Sequence, residues 1–358
     1  MHWAKTRQAA PYNLAVSGVP AVTLAELGPL PADLELSGPS FYGWPPLQAA
    51  LARHTGVPED HIVPAIGTSL ANHLAMAACL QPGDEVLLES PTYGLLADTA
   101  RYLRAVVRRF PRPRAHGFQP DLSALEAALS PRTRLIVLTN LHNPTSARLP
   151  TDSLRAISEL ARRAGARVLV DEVYLEATFD PDVVSAHRLD EAILVTSSLT
   201  KVYGLSGLRC GWVLASPELA ERMHRLNDLF GVIPAHPAER LGLLALERLP
   251  ILRERARRIL DDNRRLWNAF LADRSDLEST PSTAGTVEFP RLRAGPDAVE
   301  KLCIRLRERH ETTVAPGRFF GCPDAFRIGL GAPASVFAEG LRRLGTALDE
   351  TFHSLRHP

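Results

Sequence analysis

Lys201 is the residue whose type and position most invite chemistry. Of the 41 lysines and arginines in the 358-residue chain, only Lys5, Lys201 and Lys301 are lysines. Lys5 falls in a ragged N-terminal stretch and Lys301 in a polar helical pattern. Lys201 falls in "SSLTKVYGLSGLRCGW", Ser197 to Trp212, among small, hydroxylated and glycine residues, with Arg209 eight positions on. An arginine stays charged, whereas a lysine amine can lose its proton and attack a carbonyl. A chain that uses arginine nearly everywhere therefore has a use for an amine here; the alternative is a lysine left by chance in an arginine-biased composition. Ser198 and Lys201 also spell S-x-x-K, a nucleophile motif that needs S-D-N and K-T-G partners. "SDL" at Ser275 is the nearest match to the first, and no K-T-G occurs.

Short apolar runs must position such residues. "HIVPAI", "DEVLLES", "TRLIVLTN", "ARVLVDE", "AILVTSS" and "LRCGWVLAS" alternate with helical patterns such as "SLANHLAMAACL" and "TDSLRAISELARRAG". This alternation predicts an α/β fold with a mostly parallel central sheet covered by helices on both faces. Ligands in such sheets bind beyond the carboxyl ends of the strands. Five strand ends deliver polar residues there: Gly67, Thr68 and Ser69; Thr92 and Tyr93; His142 and Asn143; Asp171, Glu172 and Tyr174; Ser198 and Lys201. Each has a plainer reading, as an N-cap, core aromatic, turn or structural ion pair. Their convergence on one edge is the informative pattern.

Beyond about residue 235 the pattern changes. "LPILRERARRILDDNRRLWNAFLADR" predicts a long amphipathic helix with Leu252, Ile259 and Leu266 on one face and Trp267 and Phe270 beside it. "TVEFPRL" and "AFRIGL" read as strands and "SVFAEGLRRLGTALDETFHSL" as a closing helix. The expected division is an N-terminal arm over 1–40 packing on the small domain or a partner subunit, a large domain over 41–250, and a small α+β domain over 251–358.

Composition narrows the function classes. Apolar content of 45% allows a large core, and a net charge of +1 offers no general attraction to nucleic acid or anionic membrane. The arginine run "RYLRAVVRRFPRPR" reads as a solvated helix and strand face. No apolar run spans a membrane, and the N-terminus lacks a signal-peptide pattern. Cys79, Cys210, Cys303 and Cys322 are scattered without metal-ligand spacing and read as reduced thiols of a cytoplasmic protein; no metal is expected.

An aldehyde cofactor with a pyridine ring and a phosphate would use the anion-binding turn, aromatic, amide, carboxylate, phenol and amine that these strand ends deliver. Lysine would bind the aldehyde, the aspartate would pair with the ring nitrogen, and the helix N-terminus would take the phosphate. That cofactor is pyridoxal 5'-phosphate. At this point the sequence resembles the class I/II aminotransferases of the fold-type I pyridoxal-phosphate enzymes over nearly its whole length. "LTNLHNPTS" is similar to the family's N-P-x-N-P-T-G loop, "DEVY" to D-E-x-Y, and "SLTKVYGLSGLRCGW" to S-x-S-K…G-x-R-x-G. "AFRIGL", "NLAVSGVP" and "YGWPPLQAALA" are similar to three further family segments.

The resemblance implies roles. Lys201 would be the Schiff-base lysine and the base for the proton shift, with Asp171 on the ring nitrogen and Tyr174 and Asn143 on the ring oxygen. Tyr93 would stack on the ring, and Gly67, Thr68, Ser69, Ser198 and Arg209 would hold the phosphate. Tyr42 would reach a phosphate across a homodimer whose active sites lie at the interface. Arg327 would clamp the substrate carboxylate, helped by Asn143 and the Gly18 backbone. The implied reaction is ping-pong transfer of an amino group from an amino acid to a 2-oxo acid. The alternative is another reaction of the same cofactor on an amino acid, by a β-lyase, decarboxylase, cyclase or oxidase. Leu141 and Ser146 depart from the loop's usual proline and glycine. Trp44 is a candidate for the substrate pocket, and Arg318 either reaches an acidic substrate side chain or faces solvent.

Overall fold

The computed structural model describes Trp3, Thr6 and residues 9–356; Lys5 lies outside the described residues. After a two-residue strand, Tyr12–Asn13 (β1), seven strands form the central sheet. They are Ile62–Ile66 (β2), Glu85–Ser90 (β3), Val106–Pro111 (β4), Thr133–Thr139 (β5), Arg167–Asp171 (β6), Ile193–Ser198 (β7) and Cys210–Leu214 (β8). Their order is β2-β8-β7-β6-β5-β3-β4. All pairings are parallel except those of β8, which runs antiparallel to β2 and β7. The fold is therefore the mostly parallel, helix-flanked sheet that the alternating sequence pattern predicts.

The central strands read as continuous apolar runs because both faces are covered. Val168 and Val170 point into the core layer that holds Ile136 and Leu138. Leu169 points into the opposite layer with Leu135, Val137 and the helix Gly67–Cys79. Burial of such side chains contributes about 1.5–3 kcal/mol each. The pairing register sets Thr139 beside Asp171 and Asp171 beside Thr196. Because a strand's side-chain period is two, a one-residue slip of β6 would turn Asp171 to the other face.

Short strands complete the fold: Leu277–Glu278 (β9), Val287–Glu288 (β10), Arg291–Leu292 (β11), Thr312–Thr313 (β12), Ala315–Pro316 (β13) and Phe326–Gly329 (β14). The sheet β10-β14-β13 presents Arg327 from its middle strand. The N-terminal arm joins this region: β1 pairs in parallel with β12, and Gly329 N–H donates to the Leu14 carbonyl at 2.7 Å.

The helix Leu249–Ala272 forms where its pattern predicts, but its buried face differs. Leu252, Ala256, Leu260, Asn263 and Trp267 are buried, whereas Ile259 is half-buried and Leu266 is exposed. Spacings of four and three follow the helical stripe, whereas a strict seven-residue step drifts off it. The arginine run is also more varied than its composition suggests. Two of its six arginines, Arg108 and Arg109, lie on the solvated edge strand β4, but Arg112 is 1% exposed and pairs with the equally buried Glu89 at 2.6 Å.

Candidate active site

The sheet edge opens into a cavity of about 450 Å³. It is lined by Thr68, Ser69, Tyr93, Asn143, Asp171, Tyr174, Lys201, Arg209 and Arg327, with aromatic walls from Trp3, Phe319 and Phe320. Four strand ends, a helix N-terminus and β14 thus bring together residues as far apart in sequence as 68 and 327.

Asp171 closes β6. Its Oδ2 accepts from Asn72 Nδ2 at 2.8 Å and its Oδ1 from the Val173 backbone N–H at 3.1 Å. Burial pushes its carboxyl up to about 6, although Asn72, Val173 and the Lys201 charge oppose the shift. A buried carboxylate in this state gains from a cationic donor beside it. Asn72 was not legible as a site residue. It sits one turn after Thr68 within a mostly apolar helix, and its Oδ1 accepts from Thr196 at 2.7 Å.

The helix Gly67–Cys79 begins directly after β2 and aims its free N–H groups at the cavity edge, the geometry that holds phosphates. Gly67 has φ +73°, and a Cβ there would lie 2.1 Å from the Arg209 guanidinium, so glycine is what lets the arginine close over this turn. Thr68 Oγ1 donates to Ser198 Oγ at 2.8 Å, which ties the turn to the end of β7. Gly67 and Ser198 sit behind this rim without lining the cavity.

On the opposite side Arg327 is buried, and burial lowers its guanidinium from the ordinary range. It donates to Asn143 Oδ1 at 2.8 Å and to the Ala15 carbonyl at 2.9 Å, and lies 4.9 Å from the Phe320 ring centre. Its Nε is buried without a hydrogen-bond partner, as is Thr200 Oγ1 on the same cavity. Buried unpaired donors of this kind call for an anionic or polar guest. Tyr93 caps the helix Gly94–Tyr102, and burial pushes its phenol well above the ordinary range.

The N-terminal arm forms part of the wall. Tyr174 OH donates to Ser17 Oγ at 2.7 Å, and Val19 N–H donates to the Lys201 carbonyl at 2.9 Å. A Cβ on Gly18 would come within 3.0 Å of that same carbonyl oxygen. Gly18 therefore packs on the backbone of Lys201 without lining the cavity. Ser17 went unread because a hydroxyl in a loop carries no periodic signal.

Three further residues are resolved by the packing. Tyr42 does not line this cavity; it is 47% exposed, and its ring lies 4.7 Å from that of His224. Trp44 is also absent from the lining and packs against His236 and under Arg240. Arg318 pairs with Glu300 and covers the Phe319 ring from outside, so it does not face the cavity. At the loop's usual glycine position, Ser146 takes φ +60° and donates its hydroxyl to the Val287 carbonyl at 2.7 Å. That bond offsets the steric cost of a left-handed serine.

The residues present suit pyridoxal 5'-phosphate on these observations. A raised, buried carboxylate awaits a ring N–H, an amine stands in the same cavity, a helix N-terminus is cleared for phosphate, and orphaned donors face a carboxylate position. Among the described residues no group of three or more His, Cys, Asp or Glu could hold a metal.

Comparison with known proteins agrees in kind. The family "Aminotransferase class I and II" matches residues 34–344. The capreomycidine synthase of Streptomyces vinaceus is 33% identical over 356 residues, covering 94% of this chain and 89% of its own length. A PLP-dependent aminotransferase from Streptococcus suis superposes with a TM-score of 0.90 at 26% identity, covering 98% of this chain and 96% of its own. The PLP-dependent cyclase OrfR superposes with a TM-score of 0.86 at 27% identity, covering 94% and 92%.

Proposed function

The chain belongs to the class I and II aminotransferases and uses their cofactor, pyridoxal 5'-phosphate; from that premise we propose that it moves an amino group from an amino acid to a 2-oxo acid. The observation that carries this reading is the gathering of Lys201, Asp171 and Arg327 around one cavity. The bound cofactor supplies an electron sink for the pair left when an amino acid loses its α-proton. Asp171 holds the proton on the ring nitrogen that makes the sink effective, and Asn72 holds Asp171. Tyr174 and Asn143 Nδ2 address the ring oxygen, and Tyr93 covers the ring. Thr68, Ser69 and Arg209 would anchor the phosphate, with Gly67 and Ser198 shaping that rim from behind.

Arg327 would bind the substrate carboxylate, with Asn143 completing that end and Gly18 acting only from behind, through its close packing on the Lys201 backbone. Lys201 Nζ would hold the cofactor and, as a free amine, would take the α-proton from the substrate's α-carbon. Amino donor and oxo-acid acceptor bind in turn, which gives ping-pong kinetics. Lys201→Ala is expected to purify folded while losing the cofactor's lysine-bound visible absorbance and all measurable turnover. Full activity in that variant sinks the assignment.

A second reading keeps the site and changes the outcome, as one of the similar proteins is a synthase and another a cyclase. A β-lyase, decarboxylase or oxidase fate uses the same residues. Consumption of a 2-oxo acid, measured against ring closure or release of ammonia, carbon dioxide or peroxide, separates these.

The protein works as a homodimer. Tyr42 and the exposed Phe41, Leu229, Phe230, Val232 and Ile233 give it an apolar surface, from which Tyr42 reaches the partner's phosphate. We assign 1–40 to an arm, 41–250 to the cofactor domain and 251–358 to the small domain. Four free thiols suit the cytoplasm.

A further inference from the structure

Five charged side chains line the cavity: Asp98, Asp171, Lys201, Arg209 and Arg327. The proposed function uses four of them. Asp98 remains.

Asp98 lies on the helix Gly94–Tyr102, whose N-cap is Tyr93 and whose first turn, Gly94 and Leu95, lines the same cavity. Asp98 follows one turn on and extends this wall away from the ring-stacking position. Trp3 and Phe319 also line the cavity, their ring centres 5.4 Å apart. Arg318, the base adjacent to Phe319 in sequence, is turned outward to Glu300. Among the described lining residues, the part of the cavity not claimed by cofactor or α-carboxylate thus offers a carboxylate and two aromatic rings, and no base. Carboxylate and aromatic faces both favour a cation.

The present partner of Asp98 is Arg101, three residues on and 3.2 Å away, with both side chains more than half exposed. Such a pair is worth little and yields readily to a ligand that is itself held at a second point. Arg327 provides that second point.

We propose that Asp98 makes this site selective for amino acids whose side chain ends in a cation, a guanidinium or an ammonium. The inference rests on the reading that Lys201 carries the cofactor and Arg327 the α-carboxylate.

The test is a spectral titration of the holoenzyme with L-arginine, L-lysine, L-norleucine and L-glutamate, following the cofactor's visible band. L-arginine or L-lysine is expected to half-saturate at a concentration about tenfold below L-norleucine, with L-glutamate weakest. Asp98→Asn is expected to raise the value for the cationic amino acid about tenfold more than that for L-norleucine. Equal values for arginine and norleucine in the parent, or equal changes in the variant, overturn the assignment of Asp98 alone, because the band still answers to amino acids. A protein with no such band, or one that no amino acid perturbs, overturns this inference together with the function it rests on.

Discussion

Asp171 shows how a single residue trades stability for chemistry. Its folded-state carboxyl sits near 6 against an ordinary 3.8, through burial. Between those values the folded protein holds a proton that the unfolded chain has released. The contribution to stability is fully present below about pH 4 and is lost as pH rises through about 6. Cofactor-free Asp171→Asn should therefore melt higher than the parent above pH 6, by on the order of 1–3 kcal/mol, and the gap should close towards pH 4. Thermal melts across that range check it, and a pH-independent difference would contradict it.

Gly67 makes a second case at the same scale. Gly67→Ala forces a Cβ against the Arg209 guanidinium in a left-handed backbone conformation. Cofactor retention, followed by dialysis and absorbance, is expected to weaken about tenfold, the loss of one charge-assisted contact. The residues legible in advance stand where an apolar run stops and a polar residue follows. Lys201, Asp171 and Tyr174 have that signature. Asn72 does not: a polar residue inside an apolar helix gives no sign of which neighbour it meets.

At the scale of elements, the bracing of the Thr139–Ser146 loop comes from the edge of the sheet. Glu89 at the end of β3 accepts from Thr139 N–H and Oγ1 at 2.8 and 2.6 Å and pairs with Arg112 just beyond β4. Thr139 Oγ1 accepts in turn from Asn143 N–H at 3.0 Å. An ion pair sealed from water has little screening, so deleting one partner leaves the other charge uncompensated. Arg112→Met is expected to cost about 3–5 kcal/mol in urea unfolding of the cofactor-free protein, and adding Glu89→Gln should recover part of that. A cost below about 1 kcal/mol for Arg112→Met would refute the bracing role. This device was hidden in a run of arginines, where composition says only that charges prefer water. The pairing of β3 with β4 and β5, set by contacts far apart in sequence, picks out the one that does not. The parallel sheet itself was legible because its strands are buried on both faces and leave unbroken apolar runs.

For the whole molecule, the proposed homodimer makes a prediction. Phe230 and Ile233 are exposed on a segment that also shows Leu229 and Val232. Exposed apolar side chains grouped in one segment suit the proposed association. Phe230→Glu with Ile233→Glu is expected to lower the mass seen by light scattering from twice the chain's mass to that of one chain. It should also weaken phosphate anchoring if Tyr42 acts across the interface. An unchanged mass would place the contact elsewhere.

The N-terminal arm has its own consequence for how the molecule comes into being. Its resting place is built from β12 and β14, near the other end of the chain, and is so tight that a Cβ on Gly329 would fall 1.6 Å from the Val16 carbonyl oxygen. Residues 12–19 leave the ribosome long before residues 312–331, yet their resting place does not exist until those have been translated. The wall they give to Lys201 and Tyr174 thus waits for those residues, and a half-made chain has no finished chamber in which a reactive aldehyde could settle.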